Sequence, residues 1–140
     1  MTTRVAAADA MFSRFLDNFT GFPTNESRVE CDNDSFTPPT DLPWVRLAKR
    51  SSTSSQESLG GVGLRKWERG GSLFMQFFGP LNTGSRTLRG HADEAAKLFE
   101  GVSLSGNTIR FTDAVVQEIG PSDGWYMIVV EASFVYTETR

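Results

Sequence analysis

From Trp125 to Tyr136 the chain alternates without a break. Tyr126, Ile128, Val130, Ala132, Phe134 and Tyr136 fall on one parity, and Trp125, Met127, Val129, Glu131, Ser133 and Val135 on the other. A period of two is the period of a β-strand, whose successive side chains point to opposite faces. One parity is apolar throughout and the other is mixed, the pattern of an antiparallel sheet covered by helices on one side. This segment excludes an all-helical fold and demands other elements to cover its apolar face.

Two helices are available for that task. Val5, Ala8, Phe12, Phe15, Leu16 and Phe19 recur at spacings of three and four, an amphipathic stripe. Thr2 or Thr3 can cap its start, and Gly21 followed by Pro23 ends it. A second stripe is Leu88, Ala92, Ala95, Ala96 and Phe99, with a start expected near Thr83 to Ser85 and a stop at Gly101. Its small alanines let a helix lie close to a sheet.

Further strands are expected at Val29 to Cys31, Trp44 to Ala48, Leu64 to Glu68, Leu73 to Phe78, Thr108 to Phe111 and Ala114 to Ile119. The pair Leu64 to Glu68 and Leu73 to Phe78 reads as one long strand interrupted at Gly70-Gly71, a glycine pair that signals a bulge or bend. Turn chemistry falls at Asp32-Asn33-Asp34-Ser35, Gly79-Pro80-Leu81-Asn82, Ser105-Gly106-Asn107 and Pro121-Ser122-Asp123-Gly124. Pro38, Pro39 and Pro43 enforce an extended connection. Lys49 to Gly63 stands apart: Ser51-Ser52-Thr53-Ser54-Ser55-Gln56 gives way to Gly60-Gly61-Val62-Gly63. So few apolar residues do not offset the entropy of ordering the segment, which predicts a long mobile loop between two strands. The fold class is therefore α+β: a mainly antiparallel β-sheet with two helices packed on one face, in a single domain spanning residues 1–140.

At 140 residues such a chain buries a core without disulfide staples. The net charge of −3, with no stretch that collects Lys and Arg, argues against sequence-specific nucleic-acid binding as the main task. Cys31 is the single cysteine and forms no internal disulfide. Asp9, Arg14 and Asp17 interrupt any signal-peptide core, and no window reaches the apolar length of a membrane span. The expectation is a soluble protein of the host cytoplasm with no membrane partner.

Chemistry is hard to find. His91 and Cys31 make a conceivable nucleophile pair, but the simpler reading is a packed thiol and a surface histidine. No metal-ligand spacing of the H-x-E, H-E-x-x-H or C-x-x-C type exists. The serine run holds no G-x-S-x-G elbow. Gly60-Gly61-Val62-Gly63-Leu64-Arg65-Lys66 lacks the phosphate-loop spacing and is followed by no helix. No catalytic residue, cofactor or metal is expected. Arg65, Lys66, Trp67 and Arg69 form a small basic-aromatic cluster around Glu68. It suits stacking on nucleic acid, a sheet edge guarded by charge, or an acidic surface on a neighbouring subunit; these four are the candidate partner contacts.

The order of segments resembles the tail terminator family of long-tailed phages and prophages. An N-terminal amphipathic helix is followed by Phe36-Thr37-Pro38-Pro39 and a strand of Trp44-Val45-Arg46-Leu47 type. Then come a long variable loop, the Arg69-Gly70 strand, a glycine-containing helix entry and the helix Ala92 to Phe99, before paired β-strands close the chain. One departure is that Phe74 to Phe78 is more aromatic than the family's mixed pattern. The resemblance implies a virion assembly protein with no reaction to catalyse: a ring, of six subunits, that caps the tail tube, stops its polymerisation and presents a surface to the head-completion proteins. DNA would pass its lumen without specific binding. The competing readings are another neck protein, a head-tail stopper or connector adaptor, and a small α+β enzyme or ligand-binding domain.

Overall fold

The computed structural model describes residues 3–24, 28–31 and 36–140. Thr2, the connector at 25–27 and the turn expected at 32–35 lie outside them. Its elements are α1 (Arg4–Asn18), β1 (Val29–Glu30), β2 (Trp44–Gln56), β3 (Lys66–Pro80), α2 (Arg86–Phe99), β4 (Ser103–Leu104), β5 (Ile109–Ser122) and β6 (Trp125–Thr139). The six strands form one sheet in the order β1-β2-β3-β6-β5-β4. Every pairing is antiparallel except β1 with β2.

The middle of the sheet is the pair β3–β6, in unbroken register from Lys66 opposite Thr139 to Pro80 opposite Trp125. The alternation of β6 is realised there: Ile128, Val130, Ala132, Phe134 and Tyr136 are buried. Across the ladder they meet Leu73, Met75 and Phe77 of β3, and beyond these Val45 and Leu47 of β2. The same core takes in Ala7, Met11 and Phe15 of α1 and Leu88, Ala92, Ala95, Ala96 and Phe99 of α2. Phe15 tilts against Phe77 at 6.3 Å between ring centroids, and Phe99 against Phe111 at 4.9 Å. Arg14 Nε donates to the Leu98 carbonyl at 3.0 Å and ties the helices together.

The five-residue stripe of α2 is buried as its spacing predicts. In α1 the expected stripe is met in part: Phe15 and Phe19 are buried, and Phe12 and Leu16 pack against the core. The buried residues are Ala7, Met11 and Phe15, continued by Phe19 just past the helix, while Val5 faces solvent and Ala8, Phe12 and Leu16 are half-buried. The i, i+4 ladder from Ala7 to Phe19 was hidden because one of its members is a small alanine, which reads as neutral, and Met11 broke the run of aromatics. Thr3 supplies the N-cap, its hydroxyl accepting from the Ala6 N–H at 3.1 Å.

The largest departure concerns the predicted loop from Lys49 to Gly63. Residues up to Gln56 continue β2, paired with β3 as far as Gln56 opposite Trp67. Only residues 57–65 connect the strands. Composition misled here because a serine-rich strand at a sheet edge needs no apolar side chains; its main chain is held by β3. The register slips between Ser51 and Thr53, opposite Gly70 and Gly71. The glycine pair thus marks a bulge, carried by the partner strand, and β3 itself runs through without interruption. A Cβ on Gly71 would strike the Arg50 carbonyl oxygen and the Ser51 Cα, so only glycine admits the bulged strand this closely. The two strands expected at 108–111 and 114–119 are likewise one strand, β5, with irregularities at Phe111/Ala114 and Glu118/Gly120.

Candidate assembly surface

The four sequence-derived contact residues sit at the far end of the β2–β3 hairpin, but they do not share one environment. Arg69 is buried. Its Nε donates to Glu138 Oε2 at 2.7 Å and its Nη1 to Ser54 Oγ at 2.7 Å. Side-chain exposure is 7% for Arg69 and 9% for Glu138, so the ion pair is a packed strut between β3 and β6. The guanidinium also lies 5.7 Å from the Trp67 ring centroid, and Trp67 is half-buried. The position of Arg69 opposite Tyr136, on the core parity of β6, explains this; local sequence reads Arg-Gly-Gly as surface and cannot supply Glu138 from 69 residues away. Lys66 is exposed, and Arg65 is half-exposed with its Nε donating to the Gly60 carbonyl at 2.9 Å.

Around them lies an open groove of about 420 Å³ lined by Arg4, Ser54, Val62, Arg65, Trp67, Arg69 and Arg140. Four of its seven lining residues are arginines. The positive field is felt beyond the groove: Lys49 has its pKa lowered by partial burial and then by the charge of Arg4. Tyr136, beneath, has its phenol pKa raised by burial, with Arg69 pulling the other way.

Sequence reading missed the tip of this hairpin. Leu59, Val62 and Leu64 are 95%, 87% and 74% exposed. All three lie on the connector between β2 and β3, beside Arg65 and Lys66. The signal was present, as three aliphatics within a polar, glycine-rich stretch, but their low density favoured a mobile loop.

The sheet face away from the helices carries a second aromatic group. Trp44 stacks on Phe78 at 4.2 Å, Phe36 and Trp125 flank it, and Arg46 lies over both stacked rings. The aromatic residues between Phe74 and Phe78 therefore divide between two faces, Phe77 inward and Phe78 outward.

His91 is no surface histidine. It is half-buried against Phe19 and Phe22, at 5.8 and 5.2 Å, and its pKa is lowered chiefly by burial, with Glu94 raising it and Arg28 lowering it. Cys31 packs against the edge of the core. No group of three or more His, Cys, Asp or Glu placed to hold a metal occurs among the described residues. A cavity of about 220 Å³ lined by Asp41, Pro43, Gly79, Pro80, Thr83, Gly84, Thr87 and Leu88 offers hydroxyls and one carboxylate but no nucleophile with an adjacent base. No helix among the described residues is long and apolar enough to cross a membrane.

The fold is shared with a solved structure that is 20% identical in sequence. The match has a TM-score of 0.70 and covers 97% of this chain and 96% of the other. No curated protein sequence matches the chain. The family model described as phage tail terminator protein matches residues 6–134, which takes in most of α1, all of α2, the whole β2–β3 hairpin and most of β6. The chain belongs to the phage tail terminator family and is a phage tail structural protein.

Proposed function

We propose that this protein ends the growth of the tail tube. Six copies form a ring on the finished tube, block addition of further tube subunits and offer the opposite surface to the head-completion proteins. DNA passes through the lumen without specific binding. The observation that carries this reading is the family match across residues 6–134. The hairpin tip supports it: Leu59, Val62 and Leu64, flanked by Arg65 and Lys66, are an apolar knob with a cationic rim. Such a knob gains by being covered, at about 25 cal/mol for each Å² of apolar surface removed from water. We assign the tip, with the exposed parts of Arg65, Lys66 and Trp67, to the tube. Arg69 acts through the fold, because its charge is already spent on Glu138.

The decisive experiment is tail length after loss of the gene. A terminator leaves overlong tubes without heads. A head-tail stopper or connector adaptor leaves tubes of normal length that fail to join, and that result would replace the present reading.

A further inference from the structure

Both long edges of the sheet are open along most of their length. On one side β1 covers only Val45 and Arg46 of β2. On the other, β4 and the residue before it cover only Ile109 to Phe111 of β5. The hydrogen-bond parity of each free stretch follows from its anchor. Phe111 N–H points away from β6, donating to the Val102 carbonyl at 2.8 Å. Phe111 pairs with Phe134, and Ala114, Val116 and Glu118 pair with Ala132, Val130 and Ile128, which share the parity of Phe134. The main chain of Ala114, Val116 and Glu118 is therefore turned out of the sheet. On β2, Val45 N–H points outward to the Arg28 carbonyl at 3.0 Å. Carried through the bulge at Ser51/Thr53, the same argument turns Ser54 and Gln56 outward. Among the described residues neither stretch has a strand beside it.

An edge of this kind is usually guarded by lysine, by shortness or by an early proline. Between its irregularities at Phe111/Ala114 and Glu118/Gly120, the stretch from Ala114 to Gln117 carries neither a charge nor a proline, and Val115 and Val116 are exposed. We propose that the outer edge of β5 pairs with the outer edge of β2, near Ser54 and Gln56, in a second copy of this chain. The contact would make one sheet continuous from subunit to subunit. This inference concerns how a ring is joined, and so it rests on the ring reading above.

Direction favours that occupant. Along β2, β3, β6 and β5 each strand reverses its neighbour, so β2 and β5 run opposite ways. A copy placed head to tail, in the same orientation, brings its β2 antiparallel to the first copy's β5 and preserves the alternation. Charge does not oppose it: residues 51–56 of β2 carry no charge, so Glu118 of β5, already bound to Arg89, meets no second acid there. A two-fold pairing of β5 with β5 would instead bring the acids of one copy against those of the other, which is unfavourable across a ladder. Contacts between unlike edges are heterologous, the kind that builds rings when the rotation closes.

Two variants test it, with oligomer size read by sedimentation at high protein concentration, with and without tail-tube protein. Val116→Pro removes one outward N–H and none that bonds β6. It should keep the circular dichroism spectrum and abolish the ring. In a Cys31→Ser background, Val116→Cys with Gln56→Cys should yield a ladder of multimers with a short bis-maleimide, while each single cysteine yields monomer. A dimer from Val116→Cys alone would mean β5–β5 pairing and would overturn the inference. So would a full ring from a folded Val116→Pro variant, in which case the ring reading stands and only its joint is wrong. A wild-type chain that stays monomeric even on tubes would bring down the ring reading and the joint together.

Discussion

The β2–β3 hairpin has two halves that share one ladder and almost nothing else. In the half near α1 and α2, Val45 and Leu47 face Phe77 and Met75, all fully buried. In the far half, residues 51–56 are exposed to the last side chain, opposite Trp67, Glu68, Arg69, Gly70 and Gly71. The near half is a strand because its side chains must leave water. The far half is a strand because β3, pinned on its other side by β6, offers it a row of main-chain partners. Burial therefore sets stability at one end of the hairpin, and at the other end the main chain leaves the side chains available for contacts with other molecules.

The sharpest way to break this comparison is Phe77→Ala. Phe77 touches Phe15, Phe19 and Phe22, so truncation should cost about 3–5 kcal/mol. Ser55→Ala, in the far half, should move stability by less than about 0.5 kcal/mol. Chemical denaturation of both variants checks the contrast. Equal losses would mean that the far half is held by its side chains after all.

Arg69 is the exception within the far half. Arg69→Ala leaves the Glu138 carboxylate buried without its partner and should cost about 3 kcal/mol, near the low end for a broken buried pair. Substituting both residues should restore part of the loss, since the uncompensated charge is then gone. Full additivity in the double-mutant cycle would show that the two do not act as a pair. A charge reversal at Arg69 is consequently a stability variant and cannot report on docking; Lys66, exposed and outside that pair, is the residue to reverse.

The junction between the halves is tested by its glycines. Gly71→Ala drives a Cβ into the main chain of Arg50 and Ser51 and should cost roughly 1–3 kcal/mol. Gly70→Ala meets the Thr53 hydroxyl at 2.6 Å, a side chain that can turn away, and should cost less. The reverse order in thermal melts would place the close approach at the wrong glycine.

The same contrast explains what could be read from the sequence. Wherever side-chain burial decides structure, the pattern was legible: the alternation of β6 and the five-residue stripe of α2; turn chemistry likewise marked the glycine pair, the turn at 105–107 and the Asp123-Gly124 end of the one expected at 121–124. Positions fixed by partners distant in sequence were not legible. The strand at residues 49–56 depends on β3 for its main-chain bonds, the burial of Arg69 depends on Glu138, and His91 is half-buried by Phe19 and Phe22 from the segment after α1. Of the four proposed contact residues, the region was legible but the environment was not, and the three exposed aliphatics at the tip were passed over because their neighbours are serine and glycine.

The smallest expected effect separates the halves by pH. At the near end, His91 has a folded pKa below its ordinary value of 6.5, through burial first. The unfolded chain then binds the proton more readily, so stability is whole above pH 6.5 and declines as pH falls from there toward the folded pKa. At the far end, Glu57 has a pKa raised above its ordinary 4.5, first by its hydrogen bond with Glu68, then by desolvation and by the Glu68 charge, with Lys66 and Arg110 opposing. Here the folded chain holds the proton more tightly. Stability at this end therefore gains as pH falls through the folded pKa of Glu57 toward 4.5. The two signs are opposite. Hydrogen exchange, corrected for its intrinsic pH dependence, should therefore show protection at Val45 and Phe77 weakening between pH 7 and 5.5. Protection at Glu57 and Lys66 should hold or rise as pH goes lower still. His91→Gln should remove the first trend and leave the second, and Glu68→Gln should do the converse. If His91→Gln leaves the near-end trend in place, the titrating group there is another one, and burial of His91 carries no pH dependence of its own.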